Sequence, residues 1–189
     1  IVMAAAEQGS LRLRALPVLV AMLAVALGHQ AMLDYDKLSS GANVYFAPQS
    51  WGHTIDVAES IDGGLTTVAT QDKAGGGVIK TLLTNGKFQG SDSTEGEMRA
   101  QLGFAMAPLL HQDRREQALV IGYGTGVTSR VFADAGFRHL DVAELSHDIV
   151  RLADRHFSAV NGQVSRRPNG TLNLTDGRNL LLLSSQRYD

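Results

Sequence analysis

Cysteine is absent from all 189 residues. That excludes disulfides, zinc–thiolate sites and a thiol nucleophile, and it fits a reducing compartment. A charge excess of either sign is missing too: 17 Lys and Arg against 19 Asp and Glu leave a net charge of -2, with a pI near 6.3. With no long basic run there is no electrostatic footprint for nucleic acid, which is not an expected partner.

Long apolar runs are also lacking. The stretch Ala15–Met32 carries no formal charge unless His29 is protonated, yet its strictly apolar part, Leu16–Leu27, is 12 residues. A membrane-spanning helix needs roughly 20. Three readings stay open: the end of a membrane helix or anchor, a buried or oligomer-facing helix, and a signal-peptide core behind Arg12 and Arg14. By the positive-inside tendency, Arg12 and Arg14 before the stretch and Asp34 and Asp36 after it would leave the following domain outside the cytoplasm, which sits badly with a cytosolic cofactor, so the orientation stays open.

What is present centres on Ala118–Glu144. Ala118–Ile121 is a short apolar run with β-branched residues, Gly122-Tyr123-Gly124-Thr125-Gly126 is a glycine-rich turn, and Val127–Ala135 has helical composition stopped by Gly136. His139–Ala143 reads as a second strand ending in Glu144, 22 residues after Gly122. A glycine loop lets backbone approach a ligand closely, and an acidic residue at the tip of the next strand is placed to accept ribose hydroxyls. The implied ligand is a nucleoside-containing cofactor. Val127 stands where the dinucleotide fingerprint needs a small residue, which disfavours NAD, while Gly122-x-Gly124-x-Gly126 suits S-adenosylmethionine-type folds.

Upstream, His53–Ser60, Leu65–Gln71 and Val78–Thr84 alternate in polarity between glycine-rich breaks, and Asn85-Gly86 is a strong hairpin signal. These residues predict a small antiparallel β module followed by a polar loop, Phe88–Thr94. Ser93 or Thr94 is placed to cap a helix whose Met98, Leu102, Ala105, Met106 and Leu109 form a core-packing stripe. Downstream, Ser146 caps a helix through Phe157, Thr171–Thr175 is a third strand, and Asp176 opens a last helix through Leu183. His147 and His156, nine residues apart, do not have a metal-ligand spacing and are expected in solvent; no metal is expected.

The expected fold class is α/β: a small N-terminal antiparallel β module followed by an incomplete Rossmann-like fold of the S-adenosylmethionine-dependent methyltransferase type. The organisation is an apolar helical segment over residues 1–38, the β module over 44–92 and a partial nucleotide-binding domain over 93–189. A start at Ile1 and a stop after Tyr188-Asp189 lead to the expectation that the sequence is a fragment.

Asn85-Gly86-Lys87, Ser93-Thr94-Glu95-Gly96-Glu97-Met98, the loop at 122–126, Asp141-Val142-Ala143-Glu144 and Asp176-Gly177-Arg178-Asn179 together resemble the polyamine aminopropyltransferases, the spermidine synthase family. The resemblance extends over Tyr45–Asp189 and is closest to the spermidine synthase-like domains fused behind membrane segments. It implies a site between β module and nucleotide-binding fold that holds decarboxylated S-adenosylmethionine as co-substrate. Glu144 would take the ribose hydroxyls, Asp176 the adenine amino group with Gly177 beside it, and Gly122, Gly124, Thr125 and Gly126 the aminopropyl-sulfonium side.

His53, Gln89, Asp92 and Glu97 are the candidate substrate contacts, the substrate being a small-molecule amine. Typical members have an Asp where Thr125 stands, a Tyr-His-Glu-Met run where Glu95-Gly96-Glu97-Met98 stands, and a Gln where His53 stands. The catalytic base of the family lies on the strand after Tyr-Asp, beyond Asp189, so no catalytic residue is assigned and the 189-residue chain alone is expected to be inactive.

The function this implies is aminopropyl transfer to an amine in polyamine biosynthesis. The alternatives are a methyltransferase using S-adenosylmethionine and a non-catalytic nucleoside-binding domain. The same reading implies membrane association through residues 15–32 with a cytoplasmic domain, or a soluble cytoplasmic protein, and allows a homodimer.

Overall fold

The structure, a computed structural model, describes residues 16–28, 33–61 and 63–189. It divides into two compact units, Ile1–Tyr35 and Asp36–Asp189. In the first, residues 16–28 form helix α1, whose side chains are all exposed. Among the described residues no helix is long and apolar enough to cross a membrane. Residues 15 and 29–32 of the expected membrane-contacting stretch lie outside the described residues.

After α2 (Tyr35–Leu38) and α3 (Ala42–Tyr45), the second unit carries β1 (His53–Glu59), β2 (Leu65–Asp72), β3 (Val78–Thr84) and β4 (Lys87–Ser91) in an antiparallel sheet of that order. Then come α4 (Glu97–Leu109), β5 (Gln117–Ile121), α5 (Val127–Asp134), β6 (His139–Glu144), α6 (His147–His156), α7 (Ser158–Asn161), β7 (Gly170–Leu174) and α8 (Gly177–Leu183). Strands β5, β6 and β7 form a parallel sheet in that order, with Val120 opposite Val142 and Val142 opposite Leu172. The fold is the mixed α/β arrangement expected, with an antiparallel module ahead of a Rossmann-like sheet.

Four local expectations need correction. The polar loop at Phe88–Thr94 is in its first half the strand β4. Asn85 and Gly86 both sit at positive φ (50° and 75°), a turn that matches strand twist, and the Asn85 side chain accepts the Leu65 N–H at 2.8 Å. Polar composition hid a strand of which only Gly90 and Ser91 are buried. Neither Ser93 nor Thr94 caps α4, whose N-cap is Gly96 with no side-chain bond.

The apolar stripe of α4 is a core face only in part: Ala105 is buried and Leu109 packs against the core cluster. Leu102 is 39% and Met106 51% exposed, and the helix packs chiefly on α5. His156, expected in solvent, binds Asp56 instead.

Helix α6 joins the two sheets. Ser146 caps it by accepting the Ile149 N–H at 3.3 Å, and the helix buries Ile149, Val150, Leu152 and Ala153. One hydrophobic cluster contains these residues, Ala118, Val120, Leu140 and Val142 of the parallel sheet, and Ala58, Val68 and Leu82 of the antiparallel sheet. Each fully buried Val, Leu or Ile among them contributes about 1.5–3 kcal/mol, so the two sheets are fastened by a shared core.

Polar contacts align the same junction. Asp56 of β1 accepts from His156 Nε2 at 2.7 Å and Arg155 at 2.8 Å, and Ser60 donates to Asp148 at 2.8 Å. Burial works to raise the Asp56 carboxyl, but the hydrogen bonds from His156, Arg155 and the Val57 N–H outweigh it and hold it below the usual value.

A carboxyl lowered in the folded state contributes stability that is complete above its unfolded value, about pH 4, and is lost as pH falls through the lowered one. Asp56→Asn is therefore expected to lower Tm at pH 7 by about 2–4 °C for each kcal/mol removed, with a much smaller effect once the pH has fallen below the lowered folded-state value. Thermal melts across pH check this, and an equal loss at both ends would show that the carboxylate charge is irrelevant.

Candidate functional site

β5 ends at Ile121, and the chain turns into α5 through three glycines at positive φ: Gly122 (89°), Gly124 (53°) and Gly126 (84°). At Gly126 the requirement for glycine is also steric. A Cβ there would meet Asn161 Cβ at 2.8 Å and Tyr123 Cζ at 2.9 Å, so a larger residue needs both backbone strain and displaced neighbours.

Side chains from four directions fix this loop. The buried Glu144, at the tip of β6, accepts the Tyr123 N–H through Oε2 at 2.8 Å and the Ser146 N–H through Oε1 at 2.9 Å. Tyr123 turns inward, and its hydroxyl donates to Asp154 at 2.8 Å. Burial, then the Asp154 hydrogen bond, push that phenol well above its ordinary value, so it stays protonated. Asn161 donates to the carbonyls of Thr125 (3.0 Å) and Ala153 (3.2 Å). Thr125, itself buried, donates its hydroxyl to Gln101 of α4.

Gln101 links three elements. Besides the bond from Thr125, its amide donates to the Ser91 carbonyl at the end of β4 at 3.4 Å, and its own carbonyl accepts from Thr128 of α5 at 2.9 Å. Between these walls lies a cleft of about 480 Å³, lined by Gln89 and Gln101 on one side and by Ile121 and the loop from Gly122 to Thr125 on the other, with Phe104 and Thr128. Gln89 faces it from an irregularity in β4: Leu82 pairs with Gly90 and Leu83 with Phe88, leaving Gln89 as the extra residue. Bulges of this kind re-aim side chains.

Of the residues expected at the site, Gln89, Gly122, Gly124 and Thr125 line the cleft. Glu144 stands one hydrogen bond behind it, through the Tyr123 N–H. Gly126 underlies the loop, and Gly177 packs behind Ile121, where a Cβ would lie 2.7 Å from Ile121 Cγ2. The exposed Asp176 caps α8 by accepting the Asn179 N–H at 2.9 Å.

The others are elsewhere. Asp92 accepts the Lys80 N–H at 2.7 Å, and Glu97 is exposed in the first turn of α4. His53 lies on β1, at the opposite edge of the sheet from β4, with its ring 3.1 Å from Asp36.

Sequence reasoning missed Gln101, Phe104 and the inward Tyr123. Two signals bear on them: a glutamine four residues before the buried Ala105 on a helix, and a large aromatic set between glycines. Among the described residues no group of three or more His, Asp and Glu is placed to hold a metal.

A glycine loop at the carboxyl end of a parallel strand, an acidic residue at the tip of the next and an antiparallel module in front define a methyltransferase-like fold. Solved spermidine synthases share it. One in complex with the transition-state analogue AdoDATO and one from Thermotoga maritima each superpose with a TM-score of 0.61 at 15% identity, over 72% of this chain. The chain spans 46% of each of those chains, a little under half. No family model and no curated protein matches the sequence.

Gly126→Ala is expected to destabilise the chain by about 1–3 kcal/mol through strain at positive φ. Denaturant unfolding measures it; a change under ~0.5 kcal/mol, the range of neutral surface substitutions, would mean that the loop is not clamped as described.

Proposed function

We propose that this chain supplies the nucleoside-binding part of a spermidine synthase-like aminopropyltransferase site, with decarboxylated S-adenosylmethionine as co-substrate and a small-molecule amine as acceptor. The observation that carries this reading is the cleft itself, bounded by the bulged strand of the β module on one side and the clamped glycine loop on the other, within a fold shared with spermidine synthases.

In this reading Glu144 takes the ribose hydroxyls. Each of its oxygens accepts one backbone N–H, and a carboxylate oxygen has a second lone pair to offer. Asp176, with one oxygen given to the α8 cap, keeps the other for an exocyclic amine of adenine beside Gly177. Gly122, Gly124 and Thr125 face the sulfur end of the ligand, and Gly126 sets the loop from beneath.

In aminopropyl transfer the acceptor amine attacks the carbon next to sulfur. The C–N bond forms, the C–S bond breaks, methylthioadenosine leaves, and the extra proton on nitrogen passes to a base. Among the described residues that line the cleft, none is a carboxylate, histidine or lysine. The 189-residue chain is therefore expected to bind but not to turn over, and that same absence favours a second reading, a non-catalytic nucleoside-binding domain. The methyltransferase alternative shares the nucleoside site and differs in the intact amino-acid tail of its ligand. Association of the protein with a membrane through the exposed apolar helix at residues 16–28 is a further part of this proposal.

Calorimetry with methylthioadenosine tests the site. Glu144→Ala is expected to weaken binding by about 1.5–3 kcal/mol, the worth of a charge-assisted hydrogen bond, with circular dichroism confirming the fold. Unchanged affinity in the folded variant would place the nucleoside elsewhere.

A further inference from the structure

We infer that the end of the antiparallel module built from α2, α3 and two of its turns docks on a lipid bilayer, with Phe46 as the anchor. The inference rests on the membrane association proposed above. Several contacts bring these pieces to one end. Gly41, ahead of α3, lies against the Gly86 carbonyl with no room for a Cβ. Asn43 donates to the Asn85 carbonyl at 3.5 Å. A recess of about 530 Å³ is lined by Leu38 of α2, Asn43 of α3, Gly63 of the β1–β2 turn and Asn85 of the β3–β4 turn.

Large apolar side chains crowd that end. Phe46 is 95% exposed, Ile61 in the β1–β2 turn is fully so, and Leu38 and Tyr45 are exposed beside them. A single exposed apolar residue is ordinary, whereas a group of them marks a contact surface. Phe46 is also held in the left-handed region, at φ 58° and ψ 10°, a conformation that strains a bulky residue. With its ring in water, the folded chain recovers little of that strain. Its surroundings are nonetheless fastened: the Tyr45 hydroxyl accepts the Phe88 N–H at 3.0 Å, and the Trp51 ring lies 6.2 Å from Tyr45 and 5.7 Å from Phe88. The aromatic is thus presented from a fixed base, which suits an anchor that repays its strain on burial.

The occupant follows from the neighbouring sequence. Helix α1 is apolar on every side with all its side chains exposed, so hydrocarbon suits it better than a groove that would cover one stripe. Residues 29–34 alone separate it from α2, which ties the α2–α3 end most closely to a bilayer that takes up the helix. Phe46, Leu38 and Ile61, with the exposed Lys87 after the Asn85-Gly86 turn, are the mixture of apolar body and basic tip that settles at the boundary of headgroups and acyl chains.

Trp51 is the one tryptophan in the sequence, and its contact with Tyr45 makes its emission a reporter for this end. The experiment titrates the full 189-residue chain with phosphatidylcholine vesicles, with and without bromine on the acyl chains near the headgroups. The chain is expected to bind, and bromine to quench Trp51. Phe46→Asn, a residue that takes the left-handed conformation readily, is expected to keep the fold by circular dichroism, lower vesicle affinity about tenfold and relieve the quenching.

Vesicle binding with Trp51 unquenched overturns this surface and leaves the helix as the membrane contact. A folded Phe46→Asn variant that binds and is quenched like the wild type overturns Phe46 as the anchor. Self-association without vesicles that Phe46→Asn abolishes assigns this end to a second copy and overturns the bilayer as its occupant. No vesicle binding at all overturns the membrane association and the docking surface with it.

Discussion

The Glu144 carboxylate is the contact on which the site depends. β5 and β6 run parallel with Ile121 opposite Ala143, and the Gly122 N–H continues the ladder by donating to the Ala143 carbonyl at 2.8 Å. The next N–H, that of Tyr123, has no strand partner left, and Glu144 takes it. Its other oxygen takes the Ser146 N–H, just before α6. One side chain thereby sets both the departure of the glycine loop and the entry of the helix that joins the two sheets. A buried backbone N–H left unpaired costs free energy comparable to a lost hydrogen bond, so both chain reversals are coupled to this residue.

With Tyr123 held there, its ring is directed under the loop toward Asp154, and the small residue at Gly126 becomes obligatory because the ring and Asn161 fill the space a Cβ would need. The loop is preorganised from beneath, by groups that do not line the cleft. Its upper side meets the β module through Gln101, which ties the end of β4 to Thr125. The two walls belong to different sheets, but the shared core under α6 and the Asp56 contacts to Arg155 and His156 fix those sheets against each other. A ligand entering such a cleft meets groups already in place, which lowers the ordering cost of binding.

How much of this was legible follows from how local each feature is. The glycine loop, Glu144 at its spacing and the Ser146 cap are decided by residues within a few positions of one another, and each is found where the sequence puts it. β4 was hidden because Lys87–Ser91 carries no alternating apolar pattern; its strand identity comes from pairing with β3 and from the left-handed Asn85-Gly86 turn. The α4 stripe held for Ala105 and Leu109 but misled for Leu102 and Met106, because helical spacing shows which residues share a face, not how much of it is covered. His156 and Asp92 illustrate the same limit for polar groups: their partners, Asp56 and the Lys80 N–H, lie 100 and 12 residues away in sequence. No local rule identifies those pairings.

That distinction bears on how acidic residues are read. Glu144, Asp176 and Asp92 stand near strand ends, where carboxylates are readily taken for ligand contacts, and all three accept backbone N–H groups. A carboxylate used to hold backbone remains available to a ligand only through its spare lone pairs, in the direction the fold leaves open. For Glu144 and Asp176 that is compatible with hydroxyl and amine donors of a nucleoside, which ask for acceptors rather than for net charge. Neutralising a cation is a different demand, because it needs a carboxylate close to the charge, and none of the described residues that line the cleft is one. The backbone contacts that organise the loop thus fix where the Glu144 oxygens point without neutralising the carboxylate, because both donors are neutral N–H groups.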